Sequence, residues 1–477
     1  MDKIKHQSTK IIATVGPACS SYEVLLELAK AGVDLFRLNF SHGTHQDHEE
    51  TANRITYINE KYDLHLGILA DLQGPKLRVG EIENNALEIN KGQILTFTNE
   101  ECVGNAEKIY MSYARFAKDV TVGEKVLIDD GKLMLEVVET DKKSKVKLKV
   151  LFGGTLSSRK GVNLPNTKIS LPSLTEKDRK DLDFILTMPK VNWIALSFVR
   201  SGKDMKELEK IVKASGHHAK LMAKIEKPEA IEKLDKIIKA SNAIMVARGD
   251  LGIEVPIEKL PILQKLIIKK CIQRARPVVV ATHMLDSMIK QPIPTRAEIT
   301  DVANAVLDGA DAVMLSGETS VGLHPVKVVE AMNKIIAEAQ EEYVLRDRPT
   351  PSKKSRTFLS DAICFNSSKV AEDVNAKAII GMTSSGYTAF KVSSFRPRCN
   401  IFIFSDKVNM LSTLNLVWGV QTFYYDKFTT TDETIEDVTN ILIKNGNLKK
   451  GDIVVNTGSM PLQQRFRTNM LKVSVVE

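Results

Sequence analysis

Eight short runs rich in apolar and β-branched residues recur along the chain, at 11–16, 35–40, 66–72, 193–199, 220–226, 243–248, 277–282 and 312–317. Most are separated by an amphipathic stretch long enough for a helix, and a strand–helix unit repeated eight times closes naturally into a parallel barrel. A (β/α)8 TIM barrel is therefore expected. The first helix is signalled by Ser20 and Glu23 as a capping box, Val24, Leu25, Leu28 and Ala29 as an apolar stripe, and Gly32 as a stop. The eighth strand is introduced similarly, by Thr295 and Glu298 as cap, Ile299, Val302, Ala303 and Val306 as buried face, and Gly309 as stop.

One connection breaks the rhythm: between the runs at 66–72 and 193–199 lies far more chain than a βα loop needs. Its content changes to alternating strand-like pieces at 125–128, 133–138 and 146–151, joined by Asp129-Asp130-Gly131 and Gly153-Gly154 turns. This predicts an inserted small β-barrel lid over 75–172, hinged near Pro75 and Pro172, so that the barrel occupies 1–74 and 173–345. A charged stretch with two prolines, 346–354, reads as a linker. It opens a C-terminal α/β domain over 346–477, with strand runs at 378–382, 400–404, 422–425, 453–456 and 472–476. A chain of 477 residues is long enough for several such cores.

Several function classes are disfavoured. No apolar run is long enough for a membrane span, and the first six residues lack the apolar segment of a secretory signal, so a cytoplasmic protein without membrane partners is expected. The five cysteines are odd in number, scattered and never in a Cys-x-x-Cys pair, which suggests neither disulfides nor a zinc site. The formal charge of +8 comes from Lys and Arg spread along the chain without an aromatic-interleaved block. That favours anionic small-molecule substrates over nucleic acid.

In a parallel barrel the strand C-terminal ends converge on one face. Six of the runs end in polar groups: Arg37 to Gly43, Asp71 to Arg78, Lys224-Ile225-Glu226, Arg248-Gly249-Asp250, Thr282, and Ser316-Gly317-Glu318. Any one of these is as readily a turn or cap residue, or an ordinary ion pair. Together they place an ammonium, Lys224, beside two oxygen ligands, Glu226 and Asp250, which is what Mg²⁺-assisted phosphoryl transfer requires. Lys224 and Glu226 share one side of their strand because side chains alternate with period two. His42, His45 and His48 have a tempting spacing, but a loop and helix start is the preferred reading there.

These motifs resemble one family over nearly the whole chain, pyruvate kinase. The resemblance rests on Thr14-Val-Gly-Pro17, Arg37-Leu-Asn-Phe-Ser-His-Gly43, Ile128-Asp-Asp-Gly131, Gly161-Val-Asn-Leu-Pro165, Lys224-Ile-Glu226, Ala247-Arg-Gly-Asp-Leu-Gly252, Pro294-Thr-Arg-Ala-Glu298 and Met314-Leu-Ser-Gly-Glu-Thr319, in that order. It implies transfer of the phosphoryl group of phosphoenolpyruvate to ADP, giving ATP and an enolate that is protonated to pyruvate. By that resemblance Glu226 and Asp250 hold Mg²⁺, with Mn²⁺ as an alternative, and Lys224 stabilises the phosphoryl in flight. Arg37 grips the phosphate, assisted by Arg78. The amides of Gly249 and Asp250 receive the substrate carboxylate. Thr282 lies near the enolate methylene, with Ser316 and Glu318 on a proton path. Pro17, Asn39, His42, Arg78 and Lys160 are implied on the nucleotide side, with a second Mg²⁺ travelling with ADP. A homotetramer is implied as well.

Three departures bear on regulation and cofactors. The resemblance implies a K⁺ cage at Asn39, Ser41, Asp71 and Leu72, yet the K⁺-requiring pattern Asp-Thr-Lys-Gly-Pro-Glu reads here Asp71-Leu72-Gln73-Gly74-Pro75-Lys76. The charge of position 76 is reversed, and its ammonium can stand in for the ion, so activity without K⁺ is expected; a solvated lysine at the start of the lid is the competing reading. His283 replaces the family's common glutamine, either altering the pH profile or simply packing. In the last domain Thr383, Ser384, Ser385, Gly386 and Thr388 match the place where relatives bind a sugar-phosphate effector, a nucleotide being the other candidate. The loop from 458 to 467 departs from the glycine-rich pattern and carries arginines. Two other functions fit parts of the pattern: a Mg²⁺-dependent enolate aldolase or lyase, and a catalytically silent metabolite sensor.

Overall fold

The computed structural model describes residues 7–165, 167–343, 348–427, 429–459 and 467–477. Eight parallel strands, Lys10–Thr14, Leu35–Asn39, Gly67–Asp71, Trp193–Leu196, Lys220–Ile225, Ala243–Ala247, Val278–Ala281 and Ala312–Leu315, form a closed barrel in chain order, the last pairing with the first through Lys10↔Ala312. Every strand stops one to three residues before the end of its apolar run. The residues left over are therefore loop positions at the barrel mouth.

Period-two alternation builds two cores from each strand. Ile12, Leu35, Leu69, Trp193, Met222, Met245, Val279 and Met314 fill the barrel interior. Their neighbours, such as Ile11, Ala13, Phe36, Ile68, Ile194 and Val280, face the surrounding helices. The first helix, Tyr22–Ala31, is capped by Ser21 rather than Ser20: the Ser21 hydroxyl accepts from the Val24 amide at 3.3 Å, while the Ser20 carbonyl accepts from Arg54. Gly32 ends it with φ 114°, as expected. The capping box of Thr295 and Glu298 opens the helix Arg296–Leu307, but Ile299 is 40% exposed and Ala305 takes the buried position.

Between the third and fourth barrel strands lies a separate β-rich unit. Its seven-stranded sheet runs Leu77–Arg78, Gly161–Asn163, Lys125–Ile128, Leu133–Thr140, Lys145–Phe152, Ile94–Thr98, Lys108–Tyr110. Two isolated bridges, Val79↔Met111 and Ile82↔Gly104, draw the chain beside the two edge strands together. Leu95, Phe97, Phe116, Val126, Leu135 and Leu148 form its own core. Asp129, Asp130 and Gly131 turn between strands with φ of 53°, 57° and 86°.

The C-terminal unit is a five-stranded sheet in the order Val420–Tyr424, Asn400–Ser405, Ala378–Met382, Ile453–Gly458, Met470–Val475, with only the last strand antiparallel. Two of these strands begin two residues before their apolar runs. This unit closes the barrel's N-terminal end. Leu416 packs into the barrel interior, the indole of Trp193 donates to the Thr413 carbonyl at 3.1 Å, and the fully buried Lys10 ammonium donates to the Val420 carbonyl at 2.9 Å. No described helix is long and apolar enough to cross a membrane. Residues 346 and 347 of the expected linker and 460–466 of the arginine-bearing loop lie outside the described residues.

Candidate active site

At the mouth, Arg37 on the second strand and Lys224 on the fifth converge on Asp71 of the third. Arg37 places Nε and Nη2 each 2.7 Å from Asp71 Oδ2, and its Nη1 donates to Thr14 Oγ1 at 3.0 Å. Lys224 Nζ lies 3.3 Å from Asp71 Oδ1 and 3.1 Å from Glu226 Oε1, and donates to Ser197 Oγ at 2.7 Å. Ser197 in turn donates to the Leu72 carbonyl at 2.7 Å, which fixes the acceptor that aims the ammonium.

Electrostatics follow from this geometry. Burial works against the charge of Lys224, yet Asp71 and Glu226 hold its pKa above the ordinary value. Burial also opposes ionisation of Asp71, but Lys224 and Arg37 keep its pKa below the usual range. For Glu226 burial prevails, with the nearby Asp250 charge adding to it, and its pKa is pushed up to about 7. A buried carboxylate beside a second one is a site short of positive charge, and hard oxygen donors suit Mg²⁺. The residues fit the metal that the sequence implies.

The supporting backbone is strained. Phe198 adopts φ 52° and donates its amide to Glu226 Oε2 at 2.5 Å. Thr282 and His283 follow with φ of 75° and 53°, outliers for side chains that branch or are bulky. Arg248 fastens that turn, donating to the Thr282 carbonyl at 2.8 Å while pairing with Asp301 at 2.6 Å. Gly249 and Asp250 open the short helix Arg248–Glu254. Ser316 precedes another short helix, and its amide donates to Glu318 Oε2 at 2.7 Å; the Leu285 amide donates to Oε1 at 3.2 Å. Glu318 is thus a buried anchor for two loops.

The nucleotide-side residues are more dispersed. Pro17 and His42 are exposed beside the mouth, and Asn39 Oδ1 accepts from the Ser41 amide at 3.2 Å. Burial, and then the charges of Lys76, Arg78 and Arg37, lower the His42 pKa. Arg78 donates to the Arg159 carbonyl and Lys160 pairs with Asp129 at 2.9 Å, both in the inserted unit. Lys76 is exposed and pairs with no described carboxylate; Asp71 is engaged by Arg37 and Lys224 instead. Lys76 makes no ion pair with Asp71; it lines the cleft between the inserted unit and the barrel together with Asp130, Phe198 and Asp250.

His45 begins a helix capped by Thr44, pairs with Asp181 and stacks on Phe184, while His48 packs on Phe40. The histidine series is a loop and helix start. In the C-terminal unit Thr383 Oγ1 accepts from the Gly386 amide at 2.9 Å, and Ser385 Oγ accepts from Tyr387. Gly386 has φ 83°, and Thr388 is buried against Thr468. Ser384 lies in the same turn.

Three groups at the site were not singled out from the sequence. Thr14 ends the first strand and Ser197 directly follows the fourth, the two strands without a polar end in the sequence reading. The third is Glu254, buried on the helix that carries Asp250. Its Oε1 accepts from Lys227 at 2.8 Å and from Asn163 of the inserted unit at 3.0 Å. It sits one helical turn from Asp250, a spacing that signals a shared face.

A permanently charged fork, a buried ammonium and paired carboxylates at a barrel mouth, faced by an inserted β unit, define a phosphotransferase. The family model described as "Pyruvate kinase, barrel domain" matches residues 6–329, and "Pyruvate kinase, alpha/beta domain" matches 361–474. The chain is 40% identical to the pyruvate kinase of Geobacillus stearothermophilus over 98% of this chain and 80% of that one, and 41% identical to that of Corynebacterium glutamicum over 98% and 97%. A crystal structure of a pyruvate kinase from Cryptosporidium parvum superposes with a TM-score of 0.92 at 36% identity, covering 99% of this chain and 96% of that one. The chain belongs to the pyruvate kinase family.

Proposed function

We propose that the chain transfers the phosphoryl group of phosphoenolpyruvate to ADP through the residues at the barrel mouth. The observation that carries this reading is Lys224, held charged between Asp71 and Glu226 and aimed by Ser197. The P–O bond to the enol oxygen breaks, a β-phosphate oxygen of ADP forms the new bond, and the enolate carbon takes a proton. Arg37 binds the phosphate, with Arg78 approaching from the inserted unit, and Lys224 offsets charge on the phosphoryl group as it moves. Glu226 and Asp250 hold Mg²⁺, which when bound neutralises charge on the phosphoryl and enolate oxygens. Gly249 and Asp250 amides receive the carboxylate, Thr282 stands at the methylene, and Ser316 and Glu318 lie behind it. Pro17, Asn39, His42 and Lys160 serve the nucleotide side.

Catalysis without K⁺ belongs to the same reading. It rests on the reversed charge at position 76, with an ammonium unpaired among the described residues near His42. We further read a homotetramer, supported by the exposed apolar side chains Ile257, Ile262, Leu266, Ile293 and Leu307 on the barrel's outer face. A phosphorylated effector at 383–388, units divided at 75, 173 and 346, and a cytoplasmic location complete it. Pyruvate formation from phosphoenolpyruvate and ADP with Mg²⁺, in K⁺-free buffer and after adding K⁺, tests both parts. Turnover in each supports them, turnover only with K⁺ removes the Lys76 argument, and none removes the kinase.

A further inference from the structure

We propose that a cavity at the seam between the barrel and the C-terminal unit, away from the mouth and adjoining residues 383–388 without being lined by them, binds a small phosphate-bearing anion. The cavity measures about 330 Å³ and is walled by Lys239, Arg274 and Arg276 from the barrel, Lys391 from the C-terminal unit, and Thr350 and Ser352 from the segment between them. Its charge is not balanced from within. Asp361 is the one carboxylate among the lining residues, and it is already engaged by Lys391 at 3.2 Å, Thr357 at 3.0 Å and the Tyr387 hydroxyl. Arg274 keeps one nitrogen on Asp235 outside the cavity.

Arg276 is the centre of the argument. It follows Ala275 at the end of the helix Leu260–Gln273, is largely withdrawn from solvent, and its guanidinium makes no hydrogen bond or ion pair to a described residue. Lys239 also has no described partner. Burial, and then the neighbouring Arg276, lower the pKa of Lys220 nearby, so cations crowd the seam. A partly buried guanidinium without a partner, such as that of Arg276, is costly, and an anion entering the cavity would relieve that cost. Two planar forks, two ammonium groups and two hydroxyls suit a tetrahedral oxyanion with several acceptor oxygens better than a lone carboxylate.

Amide hydrogen exchange of the full chain tests this, comparing inorganic phosphate with chloride at matched ionic strength. Phosphate should slow exchange in peptides covering 349–355 and 391–395, read separately from 383–388. Arg276→Gln should raise the half-maximal phosphate concentration at least about tenfold, as loss of a charge-assisted hydrogen bond predicts. Lys239→Gln, at an exposed position that folding does not need, should raise it about two- to fivefold. A sugar monophosphate acting at lower concentration than phosphate identifies an ester as occupant, and equal concentrations identify the free anion; either supports the site. Identical exchange in phosphate and chloride overturns it, as does an unchanged midpoint in the variants. Should Arg276→Gln fail to fold, Lys239→Gln decides alone.

Discussion

A side-chain carbon added to Gly249 would lie 2.7 Å from Cγ2 of Thr282. The glycine that starts the Asp250 helix and the strained threonine after the seventh strand are thus fitted to one another. Neither can change without moving the other, since Thr282 already sits at φ 75° under the carbonyl grip of Arg248.

Gly249→Ala should fold but displace Thr282, the Asp250 helix start, or both. A misplacement of that order lowers kcat by about a hundredfold. Steady-state kinetics with circular dichroism as the folding control would check this, and an unchanged kcat would show the contact to be slack.

Lys224→Gln removes the only cation that touches both Asp71 and Glu226 among the described residues. The expected loss is about 10²–10³ in kcat, the range for removing one preorganised electrostatic group, with a smaller change in KM. A loss confined to KM would assign Lys224 to ground-state binding.

Because burial and Asp250 raise Glu226 to about 7, the carboxylate is protonated below that pH and ionised above it. Metal binding requires the ionised form. Apparent Mg²⁺ affinity should therefore weaken as pH falls below about 7, approaching tenfold per unit, and level off above it. Calorimetric Mg²⁺ titrations across this range report the slope, and Glu226→Gln should abolish it.

Ala275 adopts φ 51° just beyond the helix Leu260–Gln273, a left-handed position that favours glycine. Relief of the Cβ strain outweighs the added freedom of the unfolded chain, so Ala275→Gly should stabilise by about 0.5–1 kcal/mol. A rise in calorimetric Tm is expected; a fall would mean that the lost methyl contact dominates.

Much of this architecture is legible in the sequence because it is local. Strand–helix repetition needs only period and length, and the polar strand ends at Arg37, Asp71, Lys224 and Thr282 announce a mouth once the barrel is assumed. Where reading failed, the deciding interaction was either one residue away or far along the chain. Ser20 and Ser21 are equally good caps by type, and only the backbone angle separates them. Thr14 and Ser197 carry the same signal as their counterparts but matter through Arg37 and Lys224, which the fold alone brings to them. The link from Asn163 to Glu254 joins two units and leaves no local trace. Lys76 shows the limit from the other side: its charge was visible, while its place in the cleft beside Phe198 and Asp250 was not.

The C-terminal sheet does more than follow the barrel; it finishes it. A chain cut after residue 343 would leave the Lys10 ammonium, the Trp193 indole and Asp311 without Val420, Thr413 and Arg396, and would open the interior where Leu416 now sits. Each orphaned buried group costs about 1–3 kcal/mol, against a total stability of only about 5–15 kcal/mol for a typical fold. The catalytic barrel is consequently not an excisable module, and recombining it with a foreign C-terminal domain requires carrying over the residues that seal its lower end.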